Sequence, residues 1–448
     1  MKTFVTVWLV AFSAATLAQT PAGDPPNPVP PTSRVQLTAA YINRLAEELR
    51  TNNPTLQAAR ERTNAAAANV NAVRTWEDPK AMLGGMLARQ QLSMDDGDIM
   101  YGLAQILPLF GKEKLARRVA RAELSTEAAN ADYQFQVLRR ELAKAAFRTA
   151  LADEQVTIDQ QDLAWLETTT RTMEGKNGAG EATLLEVLQL QNELAKRTTQ
   201  AQTDADRLSH ERVSLNRLLN RQLLAPWPVL ELPAVARPVR FNASLVDLAL
   251  KHEPKVLMLR QQIKQAEAAL DLTRRQRYPD ISAGLEARNY SGDGSFRQGV
   301  LAVSMSLPWV NAGKYRNDIQ RDTAKFKAAE LDLADYELSV REEVHQLVVK
   351  IDAARREALL YRDEVIPRSQ SALESSRSGW MANRSTFRDV LDARRMLLEG
   401  RLMYSRAVAE QYQMLSELVL CCGLGDLEAL QMIGATPEVQ PEGKSNAK

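Results

Sequence analysis

The residue types that most readily do chemistry are few and scattered in this chain. Its three histidines, His210, His252 and His345, lie far apart, with no spacing that could hold a metal ion. The two cysteines, Cys421 and Cys422, are adjacent, which excludes a disulfide framework. In a helical pattern they read as small apolar residues, with a vicinal disulfide or a metal site as the other reading. Met94 and Met100 lie near one loop, but two methionines are ordinarily packing residues. There is no glycine-rich phosphate loop and no recognisable Ser-His-Asp arrangement. The expectation is therefore no enzyme, no cofactor and no bound metal. Asp389 and Asp392 are three apart and share a helix face. Spacing alone leaves them on a solvated face, paired with Arg388 or Arg395.

The elements that must position these residues come from an internal repeat. Pro54 recurs as Pro254, Arg60 as Arg260, Pro79 as Pro279, Gly84 as Gly284, and Leu107-Pro108 as Leu307-Pro308. After a small insertion near Asn311, Ala131-Asp132-Tyr133 recurs as Ala334-Asp335-Tyr336, and Val187-Leu188 as Val390-Leu391. The chain is read as two copies of one unit of about 200 residues. Residues 37-225 form the first copy and 244-424 the second. A Pro-rich joint at 226-243 lies between them, and a tail follows at 425-448.

Each copy opens on a helical stretch, Leu37 to Arg74 or Ser244 to Arg277, broken by Pro54 or Pro254. Two segments with strand character follow, at 80-92 and 98-110, and again at 280-290 and 296-309. The loops joining them, Met94-Asp95-Asp96-Gly97 and Ser291-Gly292-Asp293-Gly294, have hairpin-turn composition. Lys112 to Glu174 then runs without Gly or Pro, roughly 90 Å if it is one helix. Its counterpart, Lys314 to Ile366, is expected to stop at Pro367. Return helices are expected over Glu181 to Arg221 and Ser385 to Cys422. Helices this long need partner helices, as in a coiled-coil assembly.

The chain has 448 residues, 57 basic and 56 acidic, for a net charge of +1, which gives no hint of nucleic acid. Residues 1-18 read as a secretory signal: Lys2, a largely apolar Phe4 to Ala15, then Thr16-Leu17-Ala18 with small residues where a peptidase cuts. A Pro-rich leader, 19-36, follows. No later apolar run is long enough for a membrane-spanning helix. The strands, however, have the length of outer-membrane barrel strands. The last alternates best, with Leu301, Val303, Met305 and Leu307 on one face and Ala302, Ser304 and Ser306 on the other. The first two are weaker, with Gly84-Gly85 adjacent and Gln105 on the apolar face. Trp76, Phe110, Tyr278 and Trp309 flank the end nearest the helices, where an aromatic girdle would sit. A soluble four-stranded sheet is the alternative. In lipid, four strands cannot close a barrel, and unpaired edges there are forbidden, so copies of the chain would have to share one.

At this point the sequence resembles the TolC-like outer-membrane factors. Asn53-Pro54-Thr55-Leu56 and Glu253-Pro254-Lys255-Val256 resemble the opening of each family repeat. Gln105 to Lys112 (QILPLFGK) resembles the strand-to-helix exit, and Tyr278-Pro279-Asp280-Ile281 the start of the third strand. Gly180 to Leu188 (GEATLLEVL) resembles the tip of the helical hairpin. The resemblance covers roughly residues 37 to 424. It implies a mixed α/β membrane protein with two internal structural repeats, a long α-helical coiled-coil periplasmic tunnel and a transmembrane antiparallel β-barrel of four strands per subunit. It also implies a homotrimer in outer-membrane lipid, partnered by a periplasmic adaptor and an inner-membrane pump. The implied role is an exit duct for small molecules or metal ions, closest to factors paired with resistance-nodulation-division pumps. The exit duct of a type I protein-secretion system and a soluble periplasmic coiled-coil scaffold remain the alternatives. By resemblance, Asp389 and Asp392 match an acidic ring at a periplasmic gate, where clustered like charges would hold cations and raise some carboxylate pKa values. Gly180, Thr183, Arg384 and Thr386 become candidates for the adaptor contact. Asn383 stands at the second tip where the first has Gly180.

Overall fold

The computed structural model describes residues 33–73, 76–87, 97–180, 182–290, 294–382 and 384–424. The signal, most of the leader, the first hairpin turn, Asn383 and the tail at 425-448 lie outside the described residues. In chain order the elements are β1 (Arg34–Gln36), α1 (Ala39–Asn52), α2 (Pro54–Ala72), β2 (Lys80–Leu87), β3 (Gly97–Leu107), α3 (Lys112–Gly178) and α4 (Leu184–Leu218). Then come β4 (Val229–Glu231), α5 (Ala243–His252), α6 (Pro254–Gln276), β5 (Ile281–Tyr290), β6 (Phe296–Met305), α7 (Ala312–Leu360), α8 (Ile366–Met381) and α9 (Phe387–Cys421). The order helix, helix, strand, strand, long helix, return helix occurs twice.

Local chemistry sets the boundaries. Proline at position 54 pushes the preceding residue out of the helical region, so α1 ends and α2 begins at that point. Asn53 makes the joint rigid: its Oδ1 accepts from the Thr55 N–H at 2.9 Å, and its Nδ2 donates to the Leu218 carbonyl at 2.8 Å. In the second copy Glu253 takes that place, accepting from the Val256 N–H at 2.7 Å and from the Tyr336 hydroxyl at 3.0 Å. Strand β3 stops at Leu107 rather than running to Phe110. Pro108 has no N–H for the ladder, and both Phe110 (φ 61°) and Gly111 (φ 68°) are left-handed. Likewise β6 ends at Met305, and Pro308–Asn311 forms a 3₁₀ turn.

Two expectations need larger correction. Pro367 does not end its helix. A π turn over Tyr361–Val365 joins α7 to α8, which continues to Met381. Widening the turn just before the proline rearranges the bonding ladder where its ring and missing N–H would otherwise break it. Residues 34–36, assigned to the leader, form β1, which pairs in parallel with β4 of the joint. Strapping these two short strands together puts Leu230 and Trp227 into one core with Leu49, Leu142, Phe147 and Leu215.

The four longer strands make one antiparallel sheet in the order β2-β3-β5-β6. Its register places Ala81, Leu103, Leu285 and Leu301 in one row across all four strands, with Leu83, Tyr101, Ala287 and Gly299 in the next row on the same face. Leu83, Leu103, Leu285 and Leu301 are all well over half exposed. On the opposite face the Ser282 and Ser304 hydroxyls share a hydrogen bond at 2.6 Å, and Arg288 donates to Glu286 at 2.9 Å. Gln105 falls on the apolar face, but its Nε2 turns back to donate to the Glu77 carbonyl at 2.6 Å. None of the described helices is long and apolar enough to cross a membrane.

Away from the sheet, α3 spans 67 residues and lies antiparallel to α4. At about 1.5 Å per residue α3 extends roughly 100 Å. Separate small cores hold the bundle at different levels. One lies under α5, α7 and the end of α9. Another lies at the far tip, where Leu166, Met173, Val187, Leu190, Phe387 and Val390 pack together. Cys421 and Cys422 are buried in the α5–α7–α9 core and carry no disulfide. Burial pushes both thiols up, Cys422 to about 12, which makes them inert packing residues.

Candidate functional site

The helical hairpins meet at the tip farthest from the sheet. The α3–α4 turn is made by Gly180, whose φ of 77° a side chain would resist. Thr183 then starts α4 with a capping box: its hydroxyl accepts from the Glu186 N–H at 3.3 Å, and the Glu186 carboxylate accepts from the Thr183 N–H at 3.0 Å. Thr386 starts α9 the same way, with Asp389 in the place of the glutamate. Asp389 accepts from the Thr386 N–H at 2.8 Å and from its hydroxyl at 2.9 Å. Arg384 is exposed, and its backbone N–H donates to the Gly379 carbonyl at 2.7 Å. Behind these turns Trp380 meets Phe387 edge-on at 5.3 Å and carries the Lys176 ammonium 4.7 Å from its ring centroid.

The two sequence-selected aspartates differ in their surroundings. The Thr386 backbone N–H, and next its hydroxyl, hold the Asp389 carboxyl below the usual carboxylate range. Within one chain this is the reverse of the rise expected for a crowded acidic ring. Asp392 is exposed and flanked by cations, with Arg395 at 3.3 Å and Arg388 at 3.8 Å. Both aspartates therefore have local partners, and both remain open to the surface.

Sequence reasoning passed over the ion pairs that tie the hairpins together. Arg394 of α9 donates to Asp162 of α3 at 3.0 Å, with its guanidinium 5.0 Å from the Trp165 ring centroid. Arg197 of α4 donates to the other Asp162 oxygen at 3.0 Å. The next residue of α9, Arg395, reaches Glu193 of α4 at 2.6 Å. Its guanidinium is the main reason that the Glu193 carboxyl sits below its usual range. Adjacent arginines of α9 thus grip both helices of the first hairpin. The signal was present in the spacing: Asp159, Asp162, Leu166, Thr170 and Met173 follow the three-and-four periodicity of a buried stripe, and all five are buried. An acid on such a stripe needs a cationic partner.

No group of described histidine, cysteine or acidic residues is arranged to hold a metal ion. The arrangement instead offers a charged tip, a cluster of interhelical ion pairs beside it, and a sheet with one apolar face at the other end.

A family model described as outer membrane efflux protein matches residues 45–221 and 245–424. The cobalt-zinc-cadmium resistance protein CzcC of Cupriavidus metallidurans is 25% identical over 180 residues, which is 40% of this chain and 42% of CzcC. The chain therefore matches less than half the length of that relative. Nodulation protein T of Rhizobium leguminosarum bv. viciae is 23% identical over 379 residues, 80% of this chain and 77% of that protein. Among solved structures, CusC superposes with a TM-score of 0.76 at 17% identity, over 90% of this chain and 99% of CusC. The outer membrane protein VceC from Vibrio cholerae gives 0.72 at 17% identity, over 86% of this chain and 96% of VceC. At these identities the likeness shows the fold.

Proposed function

Because the chain belongs to the outer membrane efflux protein family, and so is an outer-membrane channel protein rather than an enzyme, we propose that three copies form one exit duct. In this reading each copy contributes four strands to a 12-stranded barrel and its long helices to a periplasmic tunnel. The observation that carries the proposal is the sheet. Among the described residues its β2 and β6 edges are unpaired, and one face is a continuous exposed apolar surface. Four strands cannot enclose a water-filled bore, and lipid does not tolerate open edges. Copies joined edge to edge satisfy both constraints. The number three comes from the family.

The duct would carry small molecules or metal ions handed over by a periplasmic adaptor and an inner-membrane pump. The matched relative named for cobalt, zinc and cadmium resistance supports the metal-ion side of this reading. Gly180, Thr183, Arg384 and Thr386 are proposed to meet the adaptor at the tip, and Asp389 and Asp392 to line the periplasmic gate. In this account the Arg394–Asp162 and Arg395–Glu193 pairs hold the gate helices in place. The exposed apolar sheet disfavours the soluble-scaffold alternative.

Planar-bilayer recording tests the gate. Removing both carboxylates, as in Asp389→Ala with Asp392→Ala, is expected to change conductance and weaken block by divalent cations. Unchanged conductance and block would remove the gate assignment.

A further inference from the structure

One buried acid is left over by the tip network. Asp159 of α3 is only 4% exposed, and no donor reaches its Oδ2. Its Oδ1 sees Arg197 only at 3.9 Å, because that guanidinium gives its 3.0 Å bond to Asp162. Asp162 also takes Arg394 of α9. From α4, the Asp204 carboxyl is the neighbouring acid that adds to the strain on Asp159, and Asp204 itself accepts from Gln200 at 2.8 Å. The charged groups around Asp159 are thus Asp162 on its own helix, Asp204 and Arg197 on α4, and Arg394 on α9 through Asp162. Three carboxylates share two guanidiniums, so one negative charge is uncompensated in a buried setting, where it is costly. An orphaned carboxylate oxygen facing a second carboxyl becomes satisfied once a single proton lies between them.

We propose that Asp159 and Asp204 share one proton, and that its release loosens the α3–α4 pairing beside the Arg394–Asp162 contact, making this level of the bundle sensitive to ambient pH. Burial first, and then the neighbouring Asp204 carboxyl, pushes Asp159 up to about 6. An unfolded aspartic acid loses its proton near about 3.9. Between those values the folded chain holds a proton that the unfolded chain has released, so folding favours acid in this window. Local stability is greatest below about pH 4 and falls as pH rises through about 6. Protonation leaves Arg197 to Asp162 alone; ionisation of Asp159 makes the two acids compete for it.

Hydrogen exchange on the full-length protein in detergent, corrected for intrinsic rates, tests the proposal at pH 5 and pH 7.5. Wild-type protection in the segments around 159 and 204 is expected to fall about tenfold on going to the higher pH, because pH 5 lies about one unit below the folded value and pH 7.5 well above it. Asp159→Asn puts a permanent N–H donor opposite Asp204, and its protection should stay high at both pH values. Asp204→Asn, at a half-buried site, should flatten the response from the other side. Protection in the wild type that does not depend on pH would overturn the proposal, as would an unaltered fall in both variants.

Discussion

Arg394 on α9 donates from Nε to the Asp162 carboxylate on α3 at 3.0 Å, joining residues 232 apart in the sequence. The Asp162 side chain is 3% exposed, and Arg197 of α4 holds its second oxygen. One carboxylate therefore receives two guanidiniums from two different helices. That one group couples the two hairpins, beside the Arg395–Glu193 pair, and it is deep enough that water cannot replace a missing partner.

Removing the α9 partner should be felt at the tip. Arg394→Ala leaves Asp162 with Arg197 and exposes the face of Trp165. The expected loss is about 1–3 kcal/mol, the scale of coupling within one ion-pair network. A thermal melt reads the stability loss, and planar-bilayer recording should show a higher resting conductance. Asp162→Asn combined with Arg394→Ala should cost less than the sum of the single changes.

The capping role and the proposed gate role of Asp389 can be separated. Thr386→Val removes the hydroxyl half of the capping box without touching charge. It should fray the start of α9, measured by hydrogen exchange, and leave divalent-cation block intact. Asp389→Asn with Asp392→Asn should weaken the block while retaining an acceptor at the cap. If Thr386→Val relieves the block as fully as the double change, the carboxylates act only as caps.

Asp389 also predicts a pH response opposite in sign to that of Asp159. Its carboxyl lies below the usual value in the folded chain, held there mainly by the Thr386 N–H. The folded state therefore prefers the ionised form. That preference contributes stability above about pH 4, the ordinary aspartate value, and the contribution is lost as pH falls through the lower folded value. Exchange at the amides following Thr386 should rise on strong acidification in the wild type and not in Asp389→Asn.

The exposed apolar face of the sheet predicts a membrane phenotype. Leu301 is 72% exposed in the single chain and lies in the same row as Leu103 and Leu285. Leu301→Arg should cost about 2–4 kcal/mol per copy if that row lies near the bilayer midplane. The amount of protein recovered in the outer-membrane fraction should drop accordingly. Ala302→Arg, on the opposite face, should leave recovery near that of the wild type.

Much of the architecture was legible because it is written in periodicity and punctuation. The long Gly-free run marked α3, prolines at 54 and 254 split the opening helices, and alternation marked β6. What escaped depends on contacts across the fold. The strap of β1 on β4 involves three residues on each side, too short for any pattern. The passage of Pro367 through a continuous helix depends on a π turn whose sequence, Tyr361 to Val365, has no signature. The gate reading of Asp389 rests on the family resemblance, since its spacing to Asp392 alone leaves it on a solvated face, although the Thr386-x-x-Asp389 pattern that makes it a cap is equally visible in the sequence. The Arg394–Asp162 and Arg395–Glu193 pairs could not be read, because each joins one half of the chain to the other.

In the proposed duct one chain supplies only part of a barrel. Native mass measurement of the full-length protein extracted in mild detergent addresses it directly. The account predicts a particle of three copies that does not shed monomers on dilution. A stable particle of one copy, released from membranes by salt alone, would contradict it, because four strands with two open edges cannot span lipid by themselves.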